Sequence, residues 1–294
     1  MRVLVTGANG QVGSELILEG EKLGLDMLAT GRNELDITRQ NAVNRYFQDK
    51  QPDIVINAAA YTAVDKAESE PEQASAINSD GAANLARACA ERNIPLLHIS
   101  TDYVFDGKKQ GAYTETDTPN PQCIYGKSKL EGERATEAIC NQYIILRVSW
   151  VFGAYGNNFV KTMLRLGKER DVLKIVSDQY GGPTWAGDIA STLLQIAKRW
   201  GDGENIPWGI YHYSGQPATS WRNFAKAIFK EAEKANIIGA QPKVVPITTA
   251  EYPTPAPRPL NSILNCRKIE QLLSINQPDW RTGLRQVLKE LSTK

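Results

Sequence analysis

Arg2-Val3-Leu4-Val5-Thr6-Gly7-Ala8-Asn9-Gly10-Gln11-Val12-Gly13 is the stretch that decides the fold. Its first five residues are a short, β-rich, mostly apolar run, and predict a buried parallel strand. Three glycines follow at G-x-x-G-x-x-G spacing. Then Ser14 to Leu23 carries its apolar residues on one helical stripe. A strand, a glycine turn and a helix in direct succession suit a dinucleotide pyrophosphate. The glycines let backbone approach the phosphates, and the helix start offers N–H groups at the positive dipole end. Gly7, Gly10, Gln11, Val12 and Gly13 are the candidate residues.

Working outward, the next strand is Asp26 to Thr30, followed by Gly31-Arg32. An NAD-specific site places an acidic residue at the end of this strand. A guanidinium there suits a 2′-phosphate instead, which favours NADPH. Stacking of Arg32 on adenine would accept NADH as well.

Ile54 to Ala60 reads as a third strand with a small-residue end, where a cofactor can lie close. Pro71 to Arg92 reads as one or two helices, Pro95 to Ser100 and Ile144 to Trp150 as further strands. Strands alternating with helices predict an α/β fold with a Rossmann-type doubly wound parallel sheet. Past Gly153 the alternation loosens, and Tyr252 to Pro259 holds four prolines, an extended segment. Asp279 to Leu291 reads as a terminal amphipathic helix. Residues 1–151, completed by about 186–215, are expected to form the cofactor domain. Residues 152–185 and 216–294 are expected to form a smaller C-terminal substrate-binding lobe.

Tyr125-Gly126-Lys127-Ser128-Lys129 sets a phenol and an ammonium four residues apart, on one face of a helix. Thr101 ends the strand that precedes them. The trio reads as a proton-transfer apparatus. Lowering a tyrosine from ~10 to about 7 needs roughly 4 kcal/mol, and a close cation works in that direction. Tyr46 to Lys50 has the same spacing and reads as a solvated helix face, so company rather than spacing marks Tyr125.

The chain has 294 residues, 41% of them hydrophobic, and a net charge of +1. A full core is affordable, and there is no basic footprint for nucleic acid. No apolar run approaches the ~20 residues that span a bilayer. No signal segment precedes the first strand, so a cytoplasmic location is expected. Cys89, Cys123, Cys140 and Cys266 include no C-x-x-C pair and read as reduced thiols. His98 and His212, the two histidines, lack metal spacing, and His98 reads as an ordinary strand residue.

With these motifs placed, the chain resembles the extended short-chain dehydrogenase/reductase superfamily along nearly its whole length. The resemblance is carried by Thr6 to Gly13, Asn57 to Glu68, Ser100 to Gly107, Tyr125 to Lys129, Arg147 to Val151, Gly156 to Phe159 and Tyr252 to Asn261. It implies a hydride transfer from NADPH or NADH to the C4 ketone of a dTDP-sugar. Tyr125 would be the proton donor, Lys129 its pKa partner and a ligand of the nicotinamide ribose. Thr101 would hydrogen-bond the substrate's C4 oxygen. Asp36 and Ile37 would flank the adenine, and Ala60, Tyr61 and Thr62 would line the cofactor groove. Asp102 and Trp150 would touch the sugar, and Arg258 the diphosphate. Some relatives hold Mg²⁺ between subunits. Glu15 could serve there, but no ligand set is assignable, so no metal residues are expected; a homodimer is left open.

Two rival functions share these features. A nucleotide-sugar epimerase or dehydratase has the same fold, but elimination commonly uses a Thr-Asp-Glu context, and here Tyr103 follows Thr101-Asp102. A non-enzymatic regulatory subunit, like that of methionine adenosyltransferase, is disfavoured by the intact Tyr125, Lys129 and Thr101.

Overall fold

A computed structural model describes residues 1–293. In chain order the strands and helices are β1 (Arg2–Thr6), α1 (Gln11–Lys22), β2 (Asp26–Thr30), α2 (Gln40–Lys50), β3 (Ile54–Asn57), α3 (Val64–Ala67), α4 (Pro71–Ser75), α5 (Gly81–Arg92), β4 (Leu96–Thr101), α6 (Ile124–Ile139) and β5 (Tyr143–Val148). They continue as β6 (Val151–Phe152), α7 (Phe159–Glu169), β7 (Val172–Val176), β8 (Tyr180–Gly181), β9 (Thr184–Trp185), α8 (Ala186–Gly201), β10 (Gly209–His212), β11 (Thr219–Ser220), α9 (Trp221–Lys234), β12 (Lys243–Ile247), β13 (Asn261–Ser262), α10 (Arg267–Leu273) and α11 (Trp280–Ser292).

The central sheet runs β10-β5-β4-β3-β1-β2, parallel at every pairing. The expected α/β doubly wound architecture is therefore present. Strand order reverses at β1, which has β2 on one side and β3 on the other. That switch point opens a crevice at the carboxyl ends of β1 and β3, where open α/β sheets bind ligands.

A core of Leu4, Leu35, Phe47, Val55 and Leu85 covers one face of the central sheet, and a small cluster surrounds Phe105 and Tyr113. Two larger apolar cores lie beside them. One unites Val3, Val5 and Leu16 with Ile54, Ile56, Leu97, Ile144, Leu146, the α8 residues Ile189, Leu193 and Ile196, and Tyr211 of β10. The other is built from Val160 and Met163 of α7, Phe224 and Phe229 of α9, and Trp280, Leu284 and Val287 of α11. The substrate lobe was expected to run to residue 294, which lies outside the described residues.

Several boundaries differ from the sequence expectation, each for a local reason. α1 begins at Gln11, because Gly10 caps it with extended backbone while its N–H bonds to the Gly7 carbonyl. β3 stops at Asn57: its side-chain Oδ1 takes the Ala59 N–H at 3.1 Å and draws Ala58–Ala60 out of the sheet. β5 ends at Val148, and Trp150 adopts φ +49°, a left-handed value that no strand accommodates. Pro71 to Arg92 is one continuous helical path through α4 and α5, interrupted by a π-turn at Ala76–Asp80. The Tyr46–Lys50 pair lies on α2 with Tyr46 half-buried and Lys50 exposed.

Candidate active site

At the switch point, Gly7 has φ +72°, and a β-carbon there would stand 2.6 Å from backbone atoms of Ala59. One on Gly13 would stand 2.1 Å from the Gly7 carbonyl oxygen. Neither position admits another residue, so β1, β3 and α1 meet at backbone contact. At Gly10 a β-carbon would meet only the Gly7 carbonyl, at 3.3 Å. The start of α1 has no side-chain cap and no acidic residue in its first turn. That combination fits a bound pyrophosphate. Gln11 is clasped from the start of α7, its side-chain oxygen accepting from Asn158 at 2.9 Å. Val12 is buried in the main core.

Beyond β2 the chain turns sharply. Arg32 is exposed there, and its charge, with the Thr38 hydrogen bonds and Arg39, lowers the Asp36 pKa; the Thr38 side chain is the largest influence. Ile37 is buried, its carbonyl accepting from Asn84 at 2.9 Å. Gly31-Arg32 follows β2 directly, as expected, with Glu34 just beyond. Its carboxylate folds back onto the Gly31 N–H at 2.9 Å, which no strand-end spacing reveals.

Ala60-Tyr61-Thr62 forms the opposite wall. Asn78, in the π-turn, accepts from the Tyr61 N–H at 2.8 Å and donates to the Tyr61 carbonyl and to Ser128 of α6. It ties this segment to α6. The Tyr61 hydroxyl donates to Glu70 at 2.6 Å, which pushes its pKa up to about 12.

The α6 helix starts where Cys123 Sγ accepts from the Gly126 N–H and Glu68 accepts from the Ile124 N–H. Gly132 lets it approach the π-turn: a β-carbon there would stand 2.1 Å from the Asn78 carbonyl oxygen. This packing brings Tyr125, Thr101 and Lys129 together at the end of β4. Tyr125 is half-buried, edge-to-face with Tyr103 at 5.5 Å. Thr101 is buried; its hydroxyl donates to Asp102 at 3.0 Å and accepts from the Tyr103 N–H at 3.2 Å. Lys129 is 2% exposed and reaches β4, donating to the Ile99 carbonyl at 2.7 Å with His98 Nε2 at 3.3 Å.

The electrostatics depart from expectation. Burial pushes the Tyr125 phenol above its ordinary range, aided by Asp102, and the Thr101 hydrogen bond offsets only part of this. Lys129 does not depress it. Burial outweighs the Glu133 carboxylate and brings Lys129 itself down to about 8. A phenol held protonated suits a proton donor. Asp102 is 3% exposed, and burial raises its carboxyl to about 6 despite the Thr101 hydrogen bond.

Trp150 is stacked on Trp221 with centroids 3.6 Å apart, and Phe159 leans on Trp221. Sequence reasoning missed Trp221 and Asn78. Arg258 is held at 2.7 Å by Asp65 and borders a cleft of about 210 Å³ with Tyr103, Phe105, Gly107 and Leu260. Its Nη1 is buried without a partner. Glu15 is buried on α1, and no group of three or more metal-ligating side chains occurs among the described residues. No helix among them is long and apolar enough to cross a membrane.

Comparisons agree with this geometry. A family model described as RmlD substrate binding domain matches residues 1–293. A dTDP-4-dehydrorhamnose reductase from Aggregatibacter actinomycetemcomitans is 50% identical over 289 residues, 97% of this chain and 98% of that one. A solved dTDP-4-dehydrorhamnose reductase from Clostridium acetobutylicum superposes with a TM-score of 0.92 at 40% identity, covering 99% of this chain and 100% of that one. The same enzyme from Bacillus anthracis, solved in complex with NADP, gives 0.90 at 40% identity, covering 98% and 99%.

Proposed function

Because this chain belongs to the RmlD substrate binding domain family, we propose that it reduces the C4 ketone of dTDP-4-dehydro-β-L-rhamnose to dTDP-β-L-rhamnose. The observation that carries the reading is the meeting of Tyr125, Thr101 and Lys129 beside a glycine turn shaped for pyrophosphate, in a chain half identical to a reductase of that name. NADPH, when bound, supplies the hydride. Gly7, Gly10, Gln11, Val12 and Gly13 hold its pyrophosphate, Arg32 its 2′-phosphate, and Asp36 and Ile37 its adenine. Ala60, Tyr61 and Thr62 line its groove, and Lys129 lies on the ribose side.

The chain's own chemistry is proton delivery. Tyr125 gives its proton to the C4 oxygen, and the Thr101 hydroxyl orients that oxygen. Asp102 and Trp150 contact the sugar. Arg258 has one nitrogen fixed by Asp65 and another free to meet the diphosphate. The cofactor domain spans 1–151, completed by about 186–215, and the substrate lobe takes in 152–185 and 216–293. The location is cytoplasmic.

The test is NADPH oxidation coupled to dTDP-4-dehydrorhamnose generated in situ, with the product identified by NMR. Formation of dTDP-rhamnose supports the reading. Tightly held NAD⁺ with epimerase or dehydratase products, or inertness toward every sugar nucleotide, contradicts it.

A further inference from the structure

Arg258 sits between Pro257 and Pro259. Pro257 fixes its own φ, and Pro259 bars Arg258 from helical backbone, so the chain is held extended there. The segment is also anchored to the loop after β4. A β-carbon on Gly107 would stand 2.5 Å from Pro259, and the Asn261 N–H donates to the Gly107 carbonyl at 3.1 Å. The long Arg258 side chain is the part that still needs fixing.

Asp65 of α3 fixes it. Its Oδ1 accepts from the Ala256 N–H at 3.3 Å and its Oδ2 from Arg258 Nη2 at 2.7 Å. One carboxylate thus grips both the backbone of the segment and the end of its guanidinium. Asp65 is itself firmly mounted: Glu68, three residues on, accepts from the Ile124 N–H at the start of α6 at 2.8 Å. The second terminal nitrogen, Nη1, is buried and has no partner. A buried donor left unpaired is costly, and a guanidinium can only donate, so an acceptor from outside the chain must meet it. Lys108 borders the same cleft, and the one acid there, Asp106, is already engaged by the Lys108 N–H at 3.0 Å and the Tyr113 hydroxyl at 2.7 Å. The unmet chemistry is that of an anion.

We infer that Asp65 is a positioning residue for the substrate's nucleoside diphosphate: it presets Arg258 at the cleft and leaves Nη1 for a phosphate oxygen. The inference deepens the reductase reading and rests on its placing of Arg258 at the diphosphate. Because Asp65 takes only Nη2, the acid and the diphosphate share the guanidinium instead of competing for it. Binding then does not have to immobilise a long, flexible side chain.

The test is calorimetric titration of dTDP into the NADPH-bound protein. The Asp65 side chain is 43% exposed, so its substitution leaves the core intact. Asp65→Asn, which keeps size and loses charge, should weaken dTDP roughly fivefold, the scale of fixing one long side chain. NADPH affinity and melting temperature should not move, and in turnover KM for the sugar nucleotide should rise while kcat holds. Arg258→Gln should weaken dTDP at least as much, and adding Asp65→Asn to it should weaken binding no further. A merely structural Asp65 would have the same effect in either background. Unchanged or tighter dTDP binding in Asp65→Asn, an Arg258→Gln variant that binds dTDP normally, or an undiminished effect of Asp65→Asn in the Arg258→Gln background would each overturn the inference. The titration reads binding without turnover. A protein that shows this coupling yet reduces no sugar nucleotide would contradict the reductase reading and not the role of Asp65.

Discussion

Gly126 and Tyr103 are pressed so closely that a β-carbon on Gly126 would stand 2.2 Å from the Tyr103 carbonyl oxygen. The residue after Tyr125 is thereby the contact that seats α6 on the end of β4. Gly126→Ala must push the helix away, since backbone cannot yield as a flexible side chain can. Overpacking of this kind costs about 1–3 kcal/mol. A lower melting temperature is expected, together with a fall in kcat larger than any change in KM for NADPH. A variant with normal turnover would show that Tyr125 is positioned from elsewhere.

Arg32 and Glu34 flank the end of β2 with opposite charges. If Arg32 meets the 2′-phosphate, Arg32→Ala raises KM for NADPH and leaves that for NADH nearly unchanged. Glu34→Gln, which keeps the Gly31 contact but removes charge, should improve NADPH relative to NADH. Equal effects of Arg32→Ala on both cofactors would reduce Arg32 to an adenine-stacking group.

Asp102 carries a pH-dependent strain. Its folded pKa, about 6, lies above its ordinary 3.8. Below 3.8 both states hold the proton and nothing is lost. As pH rises between those values, only the unfolded chain gives it up, so stability falls, and the full cost is present above about 6. At ~1.36 kcal/mol per unit that cost is on the order of 2–3 kcal/mol. Asp102→Asn should therefore gain stability over wild type at neutral pH and lose that gain in acid. Denaturant melts at the two pH values measure it, and a pH-independent difference would count against the buried carboxyl.

The legible part of the fold was what lies close in sequence. Arg2 to Gly13 announced strand, turn and helix by local chemistry, and Tyr125 and Lys129 share a helix face by spacing alone. The less legible part depends on distant pairing. His98 read as an ordinary strand residue because its partners, Asn57 and Lys129, are 41 and 31 residues away. Asn78 was missed because its role comes from Tyr61 and Ser128, 17 and 50 residues away. Glu34 was hidden because the chain doubles back after β2, bringing a residue beyond the strand to its end. The pKa of Tyr125 ran opposite to expectation because spacing predicts proximity but not burial, and burial is the larger influence.

The central claim is that Tyr125 delivers the proton in reduction of a dTDP-linked 4-ketosugar. Single-turnover reduction of dTDP-4-dehydrorhamnose by Tyr125→Phe, with NADPH bound and the fold verified by its melt, tests it most directly. The rate should fall at least ~10²-fold, within the range for loss of a general acid, while NADPH binding persists and Tyr46→Phe stays near wild type. A Tyr125→Phe rate close to wild type would contradict the account.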